Sequence, residues 1–217
     1  MSYRIKHTES ETGALRRVLT EQFEKALAAF DDDSVDPHEA IHDCRKRLKK
    51  CRAALRLFRS ALGDAYAEES TALRDAARRV SAVRDAQALI ECFDALEHHF
   101  EAQIDETAAA VARQALLDRR AAAEDNFNLP ERIDRLRADI ESARDRAQSL
   151  ALSEAGFDAI GPNIKRTDRR GRKAMRAAEE NPTAENFHEW RKRAKYHWAH
   201  IRLLQDLWPR AREARRE

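Results

Sequence analysis

The chain has 217 residues, 42% hydrophobic and 37% charged, with only five glycines and five prolines. That is one large domain or two small ones with a real core, and it favours long amphipathic helices. Net charge is +2, from 41 basic and 39 acidic residues, which is not the balance of a generically basic protein.

Residues 1–12, MSYRIKHTESET, hold no apolar run, so no signal peptide is expected. No stretch approaches the roughly eighteen apolar residues of a membrane span. A cytoplasmic location follows as the expectation. Apolar residues at 15, 18, 19, 23, 26, 27 and 30 predict a first helix, ended by the DDDS of 31–34. A second is predicted over 37–62: Asp36-Pro37 with Glu39 forms a capping-box start, and Gly63 closes it. Helical pattern resumes at 65, with a break at Ser81 or Asp85, and continues over 86–100. Residues 104–123 are alanine-rich and helical. Residues 126–130 read as a turn, with Leu129 biased away from helix by Pro130. Further helices are expected over 130–150 and 164–180, with 156–162 as a loop or kink. Asn181-Pro182 starts the last helix, to about 207, and Pro209 stops it. Trp190, Trp198 and Trp208 lie in or beside it; at helical spacing they read as core, with base stacking as the alternative. No β pattern is present. Short loops between long amphipathic helices mean an all-α bundle.

The second helix carries the most informative pattern, IHDCRKRLKKCRAALRLFR over 41–59. With His42 at 0° on a helical wheel, Arg45 falls at about 300°, Lys46 at about 40°, Lys49 at about 340°, Arg52 at about 280° and Arg56 at about 320°. Ile41, Cys44, Leu48, Cys51, Leu55 and Phe58 fall between about 160° and 260°. An apolar face therefore lies beside a stripe of His and cations, with Asp43 its only acid. Like charges at this spacing oppose helix formation, so a polyanion would supply the missing negative charge.

The stripe occurs twice. Sliding 42–59 by 146 positions lays His42 on His188, Arg45 on Arg191, Lys46 on Lys192, Arg47 on Arg193, Lys49 on Lys195 and Arg56 on Arg202. With Ala53 on Ala199 and Leu57 on Leu203 that is eight identities in eighteen, the mark of a duplicated unit. Residues 42–59 carry eight cations and one acid, 165–176 seven and one, and 188–202 five and one. Together they hold +17 of a net +2, leaving −15 elsewhere. Such segregation suits capture of a specific polyanion. Arg offers a planar fork for phosphate oxygens and Lys a mobile point charge; His donates a hydrogen bond or, protonated, adds charge. The plainer alternative is a solvated charged face.

Other chemistry finds little support. His197 and His200, or His98 and His99, lack nearby ligands at zinc spacing. No nucleophile signature or glycine-rich phosphate loop is present. Cys44 and Cys51 are two turns apart on one helix, too far for a disulfide; with Cys92 they read as buried thiols of a reducing compartment. No cofactor is expected.

HDCRKRLKKCRAALRLF, LRDAARRVSAVRDAQALIECFDAL, RRGRKAM and FHEWRKRAKYHWAHIRLL together resemble the CHAD domain, the histidine-containing α-helical domain. The resemblance runs from about residue 10 to 208. It implies one domain over 1–217, made of two helical bundles related by a pseudo-twofold axis, repeat 1 about 10–128 and repeat 2 about 130–217. Between them it implies a basic channel, binding of inorganic polyphosphate without catalysis, and association with polyphosphate granules. Carried over residue by residue, the ligand set is His42, Arg45, Lys46, Lys49 and Arg56 with His188, Arg191, Lys192, Lys195 and Arg202. Arg52 shares the stripe. Arg166, Arg169, Arg170 and Lys173 of the RRGRKAM helix join the set, as does Arg84, whose alternative is an ion pair with Asp85. Phosphate or sulfate ions should fit the same site. The second bundle is expected to be short by a helical pair, as a naturally short variant, as a truncation, or as a chain completed by a partner subunit such as a second copy. Two rivals stand: a module for RNA or single-stranded DNA, drawn by the same cations, and a hydrolase of polyphosphate or nucleotides, for which an acidic Mg²⁺ site is missing.

Overall fold

The computed structural model describes residues 3–32 and 34–207. Among them are nine helices and no strands: α1 (Glu11–Asp31), α2 (Pro37–Leu57), α3 (Arg59–Leu62), α4 (Asp64–Arg79), α5 (Ser81–His99), α6 (Glu106–Phe127), α7 (Leu129–Ala147), α8 (Gly156–Glu180) and α9 (Ala184–Leu204). Trp208 and Pro209 lie outside the described residues. No described helix is long and apolar enough to cross a membrane.

α1 and α2 form a helical hairpin, and α8 and α9 form another. The 146-residue offset lays α1 over α8 and α2 over α9 almost end to end. The hairpins meet where α2 packs against α9 and α8. α4 and α7 close over α1 and α2, while α5 and α6 pair with each other beside α2, α4 and α7. Phe23, Leu15 and Leu19 of α1, Ile41, Leu48 and Leu55 of α2, Leu73, Leu136, Ile140 and Leu203 fill one core and are fully buried. Three to four apolar positions per two turns on each helix make that core.

Several boundaries differ from the sequence reading, each for a local reason. The second helix breaks at Phe58, whose buried ring sits at φ −100°, and the short α3 carries the chain to Gly63. Gly63, at φ +55°, takes a left-handed backbone that a side chain would strain. Leu129 is helical in spite of Pro130: Asn128 before it adopts the left-handed conformation (φ +45°) and lets the helix begin at once. Residues 156–162 are the first turns of α8 and not a loop, with Pro162 inside the helix. The last helix is capped by Thr183, whose hydroxyl accepts from Asn186 N, rather than by Asn181-Pro182. Asp36 does cap α2, accepting from His38 N at 2.8 Å.

The short segment before α1 is structural too. Tyr3 and Ile5 are buried, Ile5 N donates to the Leu203 carbonyl at 2.8 Å, and the Tyr3 hydroxyl donates to the Lys50 carbonyl at 2.8 Å. This strap crosses from α2 to α9 and pins the two stripe-bearing helices together.

Cys44 and Cys51 are buried and free. Burial pushes the Cys44 thiol up to about 12 and Cys51 higher still, so both stay protonated. Cys92 departs from expectation and is exposed.

Candidate polyanion-binding site

Where α2 crosses α9, small residues let the backbones approach: Ala53, Ala54 and Ala199 are buried there with Leu57 and Leu203. His200 ties the crossing, its Nε2 lying 3.1 Å from the Ala53 carbonyl. Burial lowers its pKa to about 4, the Ala53 bond working against the shift. His200 is therefore a neutral structural donor and not a metal ligand; no group of three His, Cys, Asp or Glu gathers among the described residues. A histidine whose pKa is lower folded than unfolded stabilises the fold above about pH 6.5 and loses that contribution as pH falls toward 4. Over that window the loss is about 3 kcal/mol. A His200→Gln variant should show a flatter decline in melting temperature across it.

At the crossing the two stripes come within electrostatic reach of each other at one pair of lysines. Lys49 is held below the usual lysine range, first by desolvation and then by Arg45, Lys195 and Arg84, with Asp85 opposing. So the charge of Lys195 on α9 reaches Lys49 on α2. Lys50, absent from the sequence-derived set, is lowered to about 8 by burial and by Arg47, Arg202 and Lys46. Its ammonium and the Arg202 guanidinium both lie over the Tyr3 ring, each 5.8 Å from the centroid. Like charges brought this close in the absence of ligand are an electrostatic cost that a bound polyanion removes.

Beside the crossing, α8 adds a second concentration of charge. Arg56, Arg59, Arg166, Arg170 and Arg193 line a recess with Tyr196. Desolvation and then Arg193, Arg166, Arg56 and Arg59 lower the Arg170 pKa. The Asn163 amide donates to the Ser60 hydroxyl at 2.7 Å, which locks α8 to α3 and sets the recess. Arg59 and Arg193 were not in the sequence-derived set. Arg59 lies beyond the Phe58 break, where a continuous wheel no longer applies, and Arg193 lies off the stripe on the side facing α8.

The other expected residues divide by their present partners. Arg45 is half-buried and donates to the Ala77 carbonyl at the end of α4. Lys46 pairs with Asp43 at 3.3 Å, and Asp43 also accepts from Arg47 at 2.9 Å. The offset repeats this arrangement: Glu189 pairs with Lys192 and Arg193. An acid thus recurs in each stripe as a type but not as an identity. Such exposed pairs are worth about 1 kcal/mol or less and yield readily to phosphate. Arg56 stacks on Tyr196 at 4.1 Å and Arg202 on Trp198 at 4.8 Å. The buried Nε atoms of Arg52, Arg56 and Arg202 have no hydrogen-bond partner. Arg84 pairs with Glu91 through two bonds, 3.0 and 2.8 Å, and not with Asp85. Its Nε donates to His42 Nδ1 at 3.0 Å, which makes that ring nitrogen an acceptor. His188 and Arg191 are exposed on α9, and Arg169 and Lys173 are exposed on α8 outside the recess.

The tryptophans correct the sequence reading. Trp198 is 48% exposed and Trp190 only half-buried, so neither belongs to the core.

An all-α protein in which two cation-rich helices, α2 and α9, pack against each other is thus defined by residues alone. The family model of the CHAD domain matches residues 17–217, and the chain belongs to the CHAD domain family. Among curated proteins none matches it.

Proposed function

We propose that the chain binds inorganic polyphosphate, without turning it over, in the groove between α2 and α9 and the adjoining arginine recess of α8, and that this binding brings it to polyphosphate granules. The observation that carries the reading is the gathering of cations from both copies of the repeat: Arg56 of α2 and Arg193 of α9 line one recess with Arg59, Arg166 and Arg170, and the charge of Lys195 reaches Lys49. Lys49, Lys50, Lys195, Arg56, Arg166 and Arg170 form the contact set, with His42, Arg45, Lys46, Arg52, Arg84, His188, Arg191, Lys192 and Arg202 flanking it. Arg169 and Lys173 extend it along α8. A linear chain of phosphates fits because the cations run along helices and carry charge at every turn, so one ligand can exchange many exposed ion pairs at once. Two related hairpins about α2 and α9 are part of this reading. Calorimetric titration with long-chain polyphosphate tests it. Saturable binding with no orthophosphate released over hours, with or without Mg²⁺, is the expected result. Phosphate release would put hydrolysis in the groove.

A smaller effect follows from Glu91. Its carboxylate takes two donors of Arg84, one of the cations crowding Lys49. Glu91→Gln should free that guanidinium and tighten polyphosphate binding about three- to tenfold, the size of one partly screened charge contact. Weaker binding would mean that Glu91 holds Arg84 in its working position.

A second reading, single-stranded RNA, draws on one observation: Trp198 offers an exposed ring beside Arg202, and bases stack on such surfaces. Against it, Arg56 and Arg202 each already cover one face of Tyr196 and of Trp198.

A further inference from the structure

One amine beside the crossing stands outside the duplicated stripe. Under the 146-residue offset Lys50 falls on Tyr196, so the second copy has no amine there. Lys50 is half-buried on α2, and its ammonium carries no hydrogen bond or ion pair among the described residues. Asp43, the acid in its surroundings, is held instead by Lys46 at 3.3 Å and Arg47 at 2.9 Å. What the Lys50 ammonium meets is the Tyr3 ring, kept in place by the bond from the Tyr3 hydroxyl to the Lys50 carbonyl.

The cation next to it is equally bare. Arg202 reaches the same ring from α9 and lies 4.8 Å from the centroid of Trp198 as well. Two aromatic contacts orient its plane, its Nε is buried without a partner, and no carboxylate pairs with it among the described residues. An oriented, unpaired guanidinium is a fork for two phosphate oxygens. Burial, Arg47, Arg202 and Lys46 together disfavour the charged form of Lys50, with Asp43 opposing weakly. An amine desolvated beside other cations is the arrangement that turns a lysine into a nucleophile. An acyl phosphate matches both groups: it offers a phosphate to the fork and an electrophilic carbonyl next to it.

We propose that Lys50 is an acylation site for acyl phosphates, with Arg202 receiving the phosphate that leaves. The lone pair of the uncharged Lys50 Nζ attacks the carbonyl carbon. A carbon–nitrogen bond forms, the carbon–oxygen bond to phosphate breaks, and phosphate departs with that electron pair. The surplus proton on nitrogen passes to water. The products are an uncharged amide and inorganic phosphate, with no change of oxidation state. The amide relieves the crowding of Lys50 against Arg47, Arg202 and Lys46. This chemistry goes beyond polyphosphate binding and stands without it.

Acetyl phosphate added to the full chain at about pH 7.5, with the products mapped by peptide mass spectrometry, tests this. With its pKa at about 8, about a quarter of Lys50 is uncharged, against roughly a thousandth of an ordinary lysine. A lower intrinsic nucleophilicity, about threefold per pKa unit if amines follow thiolates, leaves a net gain of roughly tenfold. Lys50 should therefore be acetylated about ten times faster than the exposed Lys165, and its rate should level off above about pH 8. Inorganic phosphate should slow acetylation by acetyl phosphate more than acetylation by the uncharged succinimidyl acetate, and Arg202→Gln should do the same. Acetylation of Lys50 no faster than that of Lys165 overturns the proposal. So does equal slowing of the two donors, by phosphate in the wild type or by Arg202→Gln with helical circular dichroism unchanged, because Arg202 would then receive no phosphate.

Discussion

Lys49→Glu combined with Lys195→Glu should weaken long-chain polyphosphate binding by about 10²- to 10⁴-fold. Each charge-assisted contact is worth about 1.5–3 kcal/mol, two together about 3–6 kcal/mol, and each 1.4 kcal/mol is about a factor of ten. The fold should survive. Both residues are exposed and outside the core, and removing the crowding at Lys49 relieves like-charge repulsion. Stability should stay within about 0.5 kcal/mol of wild type. Either single variant should fall in between, since one phosphate chain passes both lysines. Wild-type affinity in the double variant, with helical content intact, would separate the two stripes from any shared ligand.

Salt should act nearly as strongly. If about eight phosphates are neutralised, and condensed counterions leave as they do from single-stranded nucleic acid, log affinity against log salt should fall with a slope of about −5 to −6. Between about 50 and 200 mM salt that is a loss of roughly 10³-fold. The exposed pairs Lys46–Asp43 and Lys192–Glu189 should add little, because each exchanges one anion for another. A slope shallower than about −2 would leave two or three contacts and point to a small phosphate ligand in the arginine recess.

How much of this could be read from residues depends on which physical signal a residue leaves. The all-α class was legible because apolar spacing on α1, α2 and α7 is regular. The stripe was legible because it recurs 146 residues later, and repetition is seen without knowing the fold. The partners of individual cations were not. For Arg84 the sequence offered a ligand contact or an ion pair with Asp85; neighbouring helical side chains diverge by about 100°, and Glu91, two turns on, takes the guanidinium instead. Arg59 and Lys50 enter the groove region because of the break at Phe58 and the strap at Tyr3. Both depend on packing between segments far apart in the chain. Pro162 shows the same limit: a proline reads as a boundary, but packing against α3 and α9 carries α8 through it. Trp198 read as core because large apolar residues at helical spacing usually are; it stands half in solvent, stacked on Arg202.

The histidines show where structure changes the chemistry. His42 and His188 head the two stripes at equivalent positions, but their surroundings differ. His42 accepts from Arg84, whereas His188 makes no hydrogen bond among the described residues. The repeat is therefore symmetric in sequence and asymmetric in wiring, which fits a groove filled by one chain passing two unlike walls.

The most direct measurement of the central claim is a matched titration of long-chain polyphosphate and of single-stranded RNA carrying the same number of charges, at one salt concentration and pH. A groove built from lysine and arginine runs, with one face of Tyr196 and one of Trp198 already covered by Arg56 and Arg202, should bind polyphosphate at least about tenfold more tightly, because the charge of polyphosphate is denser and no bases need be accommodated. Equal or tighter binding of RNA would contradict the account and assign the groove to nucleic acid.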